Sequence, residues 1–203
     1  MTSTGSDAPR ARGSYAKGIA RRQEILDRAI EVFAERGARR TSLRAIAEEV
    51  GVTHAALTHY FGSLDELLVA VYRESERRGD ENPVAPPDTT PGESMRIAAQ
   101  ENRAVPGMVQ LYSTLVASAL EDDRPAAQEF AASRFARLRA EMAERVRELQ
   151  DAGRLRGDVE PELAAALVIA ASDGLQTQWL LDPTVDHEAA LAMLDRLLAP
   201  PAD

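Results

Sequence analysis

From Ile19 to Arg36 the apolar residues Ile25, Leu26, Ala29, Ile30 and Phe33 recur at helical spacing, and Gly37 follows where a helix end favours glycine. Leu43, Ile46, Ala47 and Val50 then make an i, i+3, i+4, i+7 stripe on a short second helix, with Thr41 or Ser42 as its cap and Gly51 directly after it. Thr53 can cap a third helix, on which Leu57 and Phe61 stand four apart. Ser63-Leu64-Asp65-Glu66 fits a capping box, and Leu64, Leu67, Leu68 and Val71 give the fourth helix its apolar face.

Residues 79–92 hold four prolines and three acidic residues, so a linker is expected there. Beyond it the pattern predicts helices over 93–104, 106–121, 125–152, 160–181 and 187–198, with Pro106, Pro125 and Pro161 where helix starts tolerate proline. The run from Phe135 to Leu149 alternates Arg and Glu, the mark of a solvated face. Nothing alternates with a period of two. The expected fold is all-α, about nine helices. Residues 1–17 lack periodicity and read as a flexible basic arm.

Composition narrows the chemistry. With 44% hydrophobic and 28% charged residues over 203 positions, the chain can bury a real core. No cysteine is present, which removes disulfides and thiolate metal sites. No apolar run is long enough for a membrane span, and the first residues contain no apolar signal segment, so a cytoplasmic location is expected. The net charge of −9 argues against nucleic acid until it is divided along the chain. Residues 1–47 carry 10 basic and 5 acidic side chains, whereas residues 80–203 carry 11 basic and 22 acidic. A local basic patch, not the whole-chain sum, is what meets phosphate. All but one of the 24 basic residues are Arg, which suits planar, bidentate contacts.

The second and third helices, joined through Gly51-Val52, form a helix-turn-helix over about 42–61. If Leu57 turns inward, His54, Ala55, Thr58 and His59 share an outward arc of roughly 140° at 100° per residue. Their imidazole, hydroxyl and methyl groups can meet base edges in a major groove about 12 Å wide. Arg44 lies near the groove edge, with a salt bridge to Glu48 as its plainer role. Helix starts at Ser42, Thr53 and Ser63 suit phosphate oxygens. His54 and His59, five apart and without a third ligand nearby, do not make a metal site.

The stretch "RRQEILDRAIEVFAERGARRTSLRAIAEEVGVTHAALTHYFGSLDELLVAVY" resembles the TetR family of transcriptional regulators. The elements that carry the likeness are Phe33/Gly37, Thr41-Ser42-Leu43-Arg44-Ala45-Ile46-Ala47, Gly51-Val52 and Leu57/Phe61. The resemblance implies an N-terminal three-helix DNA-binding domain over 18–78. It implies a C-terminal helical domain over 93–203 that dimerises and holds a small-molecule pocket. Two positions depart from the family's pattern: Thr58 stands where Tyr is frequent, and Leu64 where Lys usually meets the DNA backbone. Tyr60 is a candidate phosphate contact.

The candidate DNA-contacting set is therefore Ser42, Arg44, Thr53, His54, Ala55, Thr58, His59, Tyr60 and Ser63. Met108, Tyr112, Phe135 and Trp179 are candidate pocket residues, each with core packing as the plainer reading. Small residues at Ala165, Ala166, Ala170, Ala171 and Gly174, with Leu191, Leu194, Leu197 and Leu198, point to a homodimer interface through 160–181 and 187–198. Double-stranded DNA and a small-molecule effector are the expected partners, with no cofactor and no metal. No P-loop, G-x-G-x-x-G, G-x-S-x-G or H-E-x-x-H motif supports an enzyme. The competing reading is a helical sensing or interaction protein that has lost DNA binding.

Overall fold

The computed structural model describes residues 8–36, 43–79, 86, 88–105 and 107–201. Among these, nine helices and no strands are found: α1 (Ala8–Arg36), α2 (Leu43–Val50), α3 (His54–Phe61), α4 (Leu64–Gly79), α5 (Pro91–Ala104), α6 (Met108–Ser118), α7 (Pro125–Asp151), α8 (Pro161–Leu181) and α9 (His187–Leu198). The all-α expectation therefore holds. Several boundaries differ from those the pattern predicted, including the α5 start at Pro91 and the α6 end at Ser118, and two have a clear local cause. Helix α1 begins at Ala8, inside the segment expected to be an arm, because Ala, Arg and Lys between 8 and 17 are good helix formers despite the lack of an apolar stripe. Helix α6 begins at Met108 rather than 106, because Gly107 at φ 77° is left-handed and cannot lie inside a helix.

Local caps explain several starts. The Thr53 hydroxyl accepts from the Ala56 amide (3.1 Å), Ser63 from Glu66 (3.1 Å), Thr90 from Glu93 (3.4 Å), and the Asp186 carboxylate from Ala189 (2.9 Å). Residues Gly37, Thr41 and Ser42 lie outside the described residues.

One core joins the two ends of the molecule. Ile25, Leu26, Ile46, Leu57, Phe61, Leu67 and Tyr72 belong to the same buried cluster as Met108, Leu111, Tyr112 and Phe130. Helix α4 carries this core from the first three helices into the body. Helix α8 runs antiparallel to α7, since Leu149 packs near Ala164 while Met142 packs near Val168. Helix α9 closes over α5: the Asp195 carboxylate accepts from the Gly92 amide and the Thr90 hydroxyl, both at 2.7 Å.

Candidate nucleic-acid interface and ligand cavity

The α2–α3 turn is tight for a stated reason. Gly51 takes φ +75°, and the Val52 amide reaches back to the Ala47 carbonyl at 2.9 Å. That turn drives Ile46 and Ala47 against Leu57 and Phe61, all buried. The opposite side of α3 is thereby forced outward. Thr53, His54, Ala55, Thr58 and His59 are exposed, while Tyr60 and Ser63 are half-buried. His54, Ala55, Thr58 and His59 of α3 thus share one accessible surface, whereas Tyr60 packs against the core on another side of the helix, and Ser42 lies outside the described residues.

Several of these side chains are already oriented. The Thr58 hydroxyl donates to the His54 carbonyl at 3.0 Å, which fixes its rotamer and leaves its oxygen lone pairs and methyl facing out. The His59 ring stands edge-on to Tyr60, with centroids 5.3 Å apart. Arg44 Nε donates to Glu48 at 3.4 Å, but the two side chains are 83% and 70% exposed. A pair so open to water costs little to break. Leu64 packs against the core at the α3–α4 junction. The Arg22 guanidinium lies over the Phe61 ring at 4.7 Å.

In the body, a cavity of about 380 Å³ opens between α4, α5, α6 and α7. Its apolar wall includes Met95, Ile97, Met108, Leu138 and Met142. Its polar wall is built around Arg134 of α7, whose guanidinium lies 5.0 Å from the Tyr72 ring centroid and 5.1 Å from that of Tyr112. Arg134 is ion-paired with Glu76 of α4, which also faces the cavity. Behind this pair, the Tyr112 hydroxyl donates to Asp173 of α8 at 2.9 Å.

Burial pushes the Tyr72 and Tyr112 hydroxyls well above the ordinary tyrosine range, so both keep their protons. Burial also raises the Asp173 carboxyl, against the pull of the Tyr112 hydrogen bond and the Arg134 charge. For Arg134, burial opposes the charge, yet the Glu76 carboxylate and the faces of the neutral Tyr72 and Tyr112 rings hold the guanidinium protonated. Two buried polar atoms on this wall, Ser75 Oγ and Arg134 Nε, have no hydrogen-bond partner.

Of the four predicted pocket residues, Met108 lines this cavity. Tyr112 lies one layer behind, against Arg134. Phe135, half-buried, is not part of the lining, and Trp179 lies under the Arg103 guanidinium at 5.6 Å, on the α5–α8 side. Sequence reasoning missed Arg134, Glu76, Ser75 and Glu101. The available signal was the period of α7, on which Phe130, Arg134, Leu138, Met142 and Arg145 follow one face.

No group of three or more His, Cys, Asp or Glu able to hold a metal occurs among the described residues. None of their helices is long and apolar enough to cross a membrane.

An exposed reading helix on a turn of this geometry, carried by a helical body with a cavity, defines a helix-turn-helix regulator. Residues 25–71 match the family model for bacterial regulatory proteins of the TetR family, and residues 100–200 match that for the C-terminal part of BetI-type transcriptional repressors. The HTH-type transcriptional repressor Rv1474c of Mycobacterium tuberculosis is 28% identical over 178 residues, covering 87% of this chain and 90% of that protein. A TetR family member of known structure from Streptomyces coelicolor (SCO1917) is 30% identical, over 90% of this chain and 99% of that one, with a TM-score of 0.60. The multidrug binding protein EbrR, solved in complex with imidazole, is 28% identical over 100% of both chains, with a TM-score of 0.63. The chain belongs to the TetR family of transcriptional regulators.

Proposed function

We propose that this regulator is a homodimeric repressor that reads a pseudopalindromic operator with α3 and lets go of it when a small molecule enters the α4–α7 cavity. The observation that carries the reading is the double use of α4. Its Leu67, Leu68 and Tyr72 share a core with Leu57 and Phe61 of α3, while Tyr72, Ser75 and Glu76 form part of the cavity wall. A ligand that alters the cavity wall therefore acts on the helix that supports the reading surface. It must bind the released state more tightly than the DNA-bound state, since equal affinity for both would shift nothing.

In this reading, residues 18–78 bind DNA, 79–92 link, and 93–203 sense and dimerise. Arg44, Thr53, His54, Ala55, Thr58, His59, Tyr60 and Ser63 meet the operator, and the protein acts in the cytoplasm, where its DNA is. Dimerisation is supported by a stripe down α8 and α9 in which Leu163, Leu167, Leu181, Met193 and Leu197 are each more than half exposed. Exposed Ala170 and Gly174 lie between them and allow close helix approach. An apolar face of this kind is unusual on a monomer. The relatives' names agree with the reading: Rv1474c is called a repressor, and EbrR a multidrug binding protein. No catalytic step is part of it.

Selection from a random duplex library tests the proposal. The expected product is an inverted repeat whose half-sites lie about one helical turn apart or slightly more. Recovery of no enriched sequence would favour the reading in which DNA binding has been lost, as Thr58 and Leu64 allow.

A further inference from the structure

The charges around the cavity do not balance evenly. Three arginines and three glutamates line it, and the arginines are paired. Arg134 is held by Glu76, Arg137 lies 3.4 Å from Glu141, and Arg145 lies 3.9 Å from Glu148 and donates to the Pro86 carbonyl. Glu76 is thereby occupied, and Glu141 faces Arg137 in an exposed pair that balances its charge. Glu101 is left, an exposed carboxylate on the open side of the cavity with no hydrogen bond or ion pair to any described residue. It stands in the last turn of α5, where the negative pole of the helix adds to its charge. The nearest cation along that turn, Arg103, is turned toward Glu188 at 3.0 Å and the Trp179 ring.

We propose that the cavity binds an organic monocation, a protonated amine on an apolar body, with the ammonium at Glu101. The proposal rests on the cavity being the effector site. The body of the ligand lies against Met95, Val105, Met108, Leu138 and Met142, whose three thioethers adapt to varied shapes. The open N–H of the Arg134 guanidinium, Nε, is buried beside Glu76, whose carboxylate repels an anion. A quaternary ammonium needs open aromatic faces, but Tyr72 is the lining's single aromatic ring, and Arg134 already covers it. An amine N–H, by contrast, finds a carboxylate acceptor, and such charge-assisted hydrogen bonds are the stronger ones. The unpartnered Ser75 hydroxyl on the far wall offers a place for a neutral polar atom of the same ligand.

Titration calorimetry of the full chain tests this with four probes on one skeleton: 4-phenylbutylamine, 4-phenylbutanol, 4-phenylbutyrate and 4-phenylbutyl-trimethylammonium. The amine is expected to bind about ten-fold more tightly than the alcohol, the low end for a charge-assisted hydrogen bond at a partly open site. The carboxylate and the quaternary ammonium should bind more weakly than the amine. In Glu101→Gln the amine should lose its advantage while the alcohol is unchanged. Equal or tighter binding of the carboxylate, the alcohol or the quaternary ammonium overturns the proposal, as does an amine preference that survives Glu101→Gln, or no amine binding at all. Ala98→Trp, confirmed folded by its melting curve, fills the cavity and separates the two readings. Probes that still bind this variant sit elsewhere, and the effector-site reading falls with the proposal. Probes that it excludes, but among which the amine has no advantage, leave the cavity as the effector site and remove the amine class.

Discussion

Arg134 of α7 is ion-paired with Glu76 of α4 across a separation of 58 residues, with its guanidinium over the neighbouring rings of Tyr72 and Tyr112, whose centroids lie 5.6 Å apart. The pair fastens the cavity wall to the helix that supports α3. It is shielded from water, since the two side chains are 15% and 33% exposed. Its other neighbours give little relief, because Arg137 stands 4.0 Å from Glu76.

Removing one partner should therefore cost more than removing both in turn would suggest. Arg134→Met is expected to destabilise the protein by about 2–3 kcal/mol, because it strands a half-buried carboxylate. Glu76→Gln should cost about 1 kcal/mol, since the guanidinium keeps its aromatic contacts. In the double variant the total should fall short of the sum by about 1 kcal/mol, read by urea denaturation as a double-mutant cycle. Strict additivity would mean that the two groups do not couple.

The α8–α9 stripe gives a second expectation. Leu167 is 65% exposed midway along it, so a charge there disturbs no internal packing. Leu167→Glu should leave the melting of the isolated subunit intact but shift sedimentation from dimer to monomer, because it buries a charge against its own symmetry mate. A dimer that persists unchanged would place the interface elsewhere.

His187 makes stability depend on pH. It is 2% exposed at the start of α9, and neither ring nitrogen makes a well-formed hydrogen bond to a described residue. Burial, helped by the charge of Arg103 on α5, lowers its pKa below 6.5, against weaker opposing effects of Ser172 on α8 and Glu188 beside it. A histidine with a depressed folded pKa takes up its proton more readily when unfolded. Its contribution is thus complete above the unfolded value and declines as pH falls through about 6.5 toward the folded one. Comparing wild type with His187→Leu by urea denaturation at pH 7.5, 6.5 and 5.5 should show wild type losing stability relative to the variant at the acid end. A difference that stays constant with pH would remove His187 as the cause.

The helix-turn-helix and the exposed face of α3 were legible in the sequence because their determinants are local. The stripe Leu43–Val50, the turn glycine at 51, the Thr53 cap and the Leu57/Phe61 spacing all act within a few residues of one another. The cavity was not legible, since its walls come from four helices and its central ion pair spans 58 positions. Arg134 borders a stretch whose Arg and Glu alternation correctly marks a solvated face: Glu144 and Glu148 are 66% and 62% exposed. Only the phase of the helix separates Arg134 from them. Tyr112 and Trp179 are sequence candidates that packing directs elsewhere, the first to Asp173 and the second to Arg103.

On the function proposed above, the outward face of α3, with Arg44 beside it, reads DNA sequence. Fluorescence anisotropy on the best duplex from the library selection, against a scrambled duplex of the same length, tests it most directly. The account predicts roughly a thousand-fold tighter binding to the selected duplex, weakening as salt rises. It predicts that His59→Ala and Arg44→Ala each lose about 1–3 kcal/mol of that preference. Equal affinity for both duplexes, or a preference that both substitutions leave intact, would contradict it.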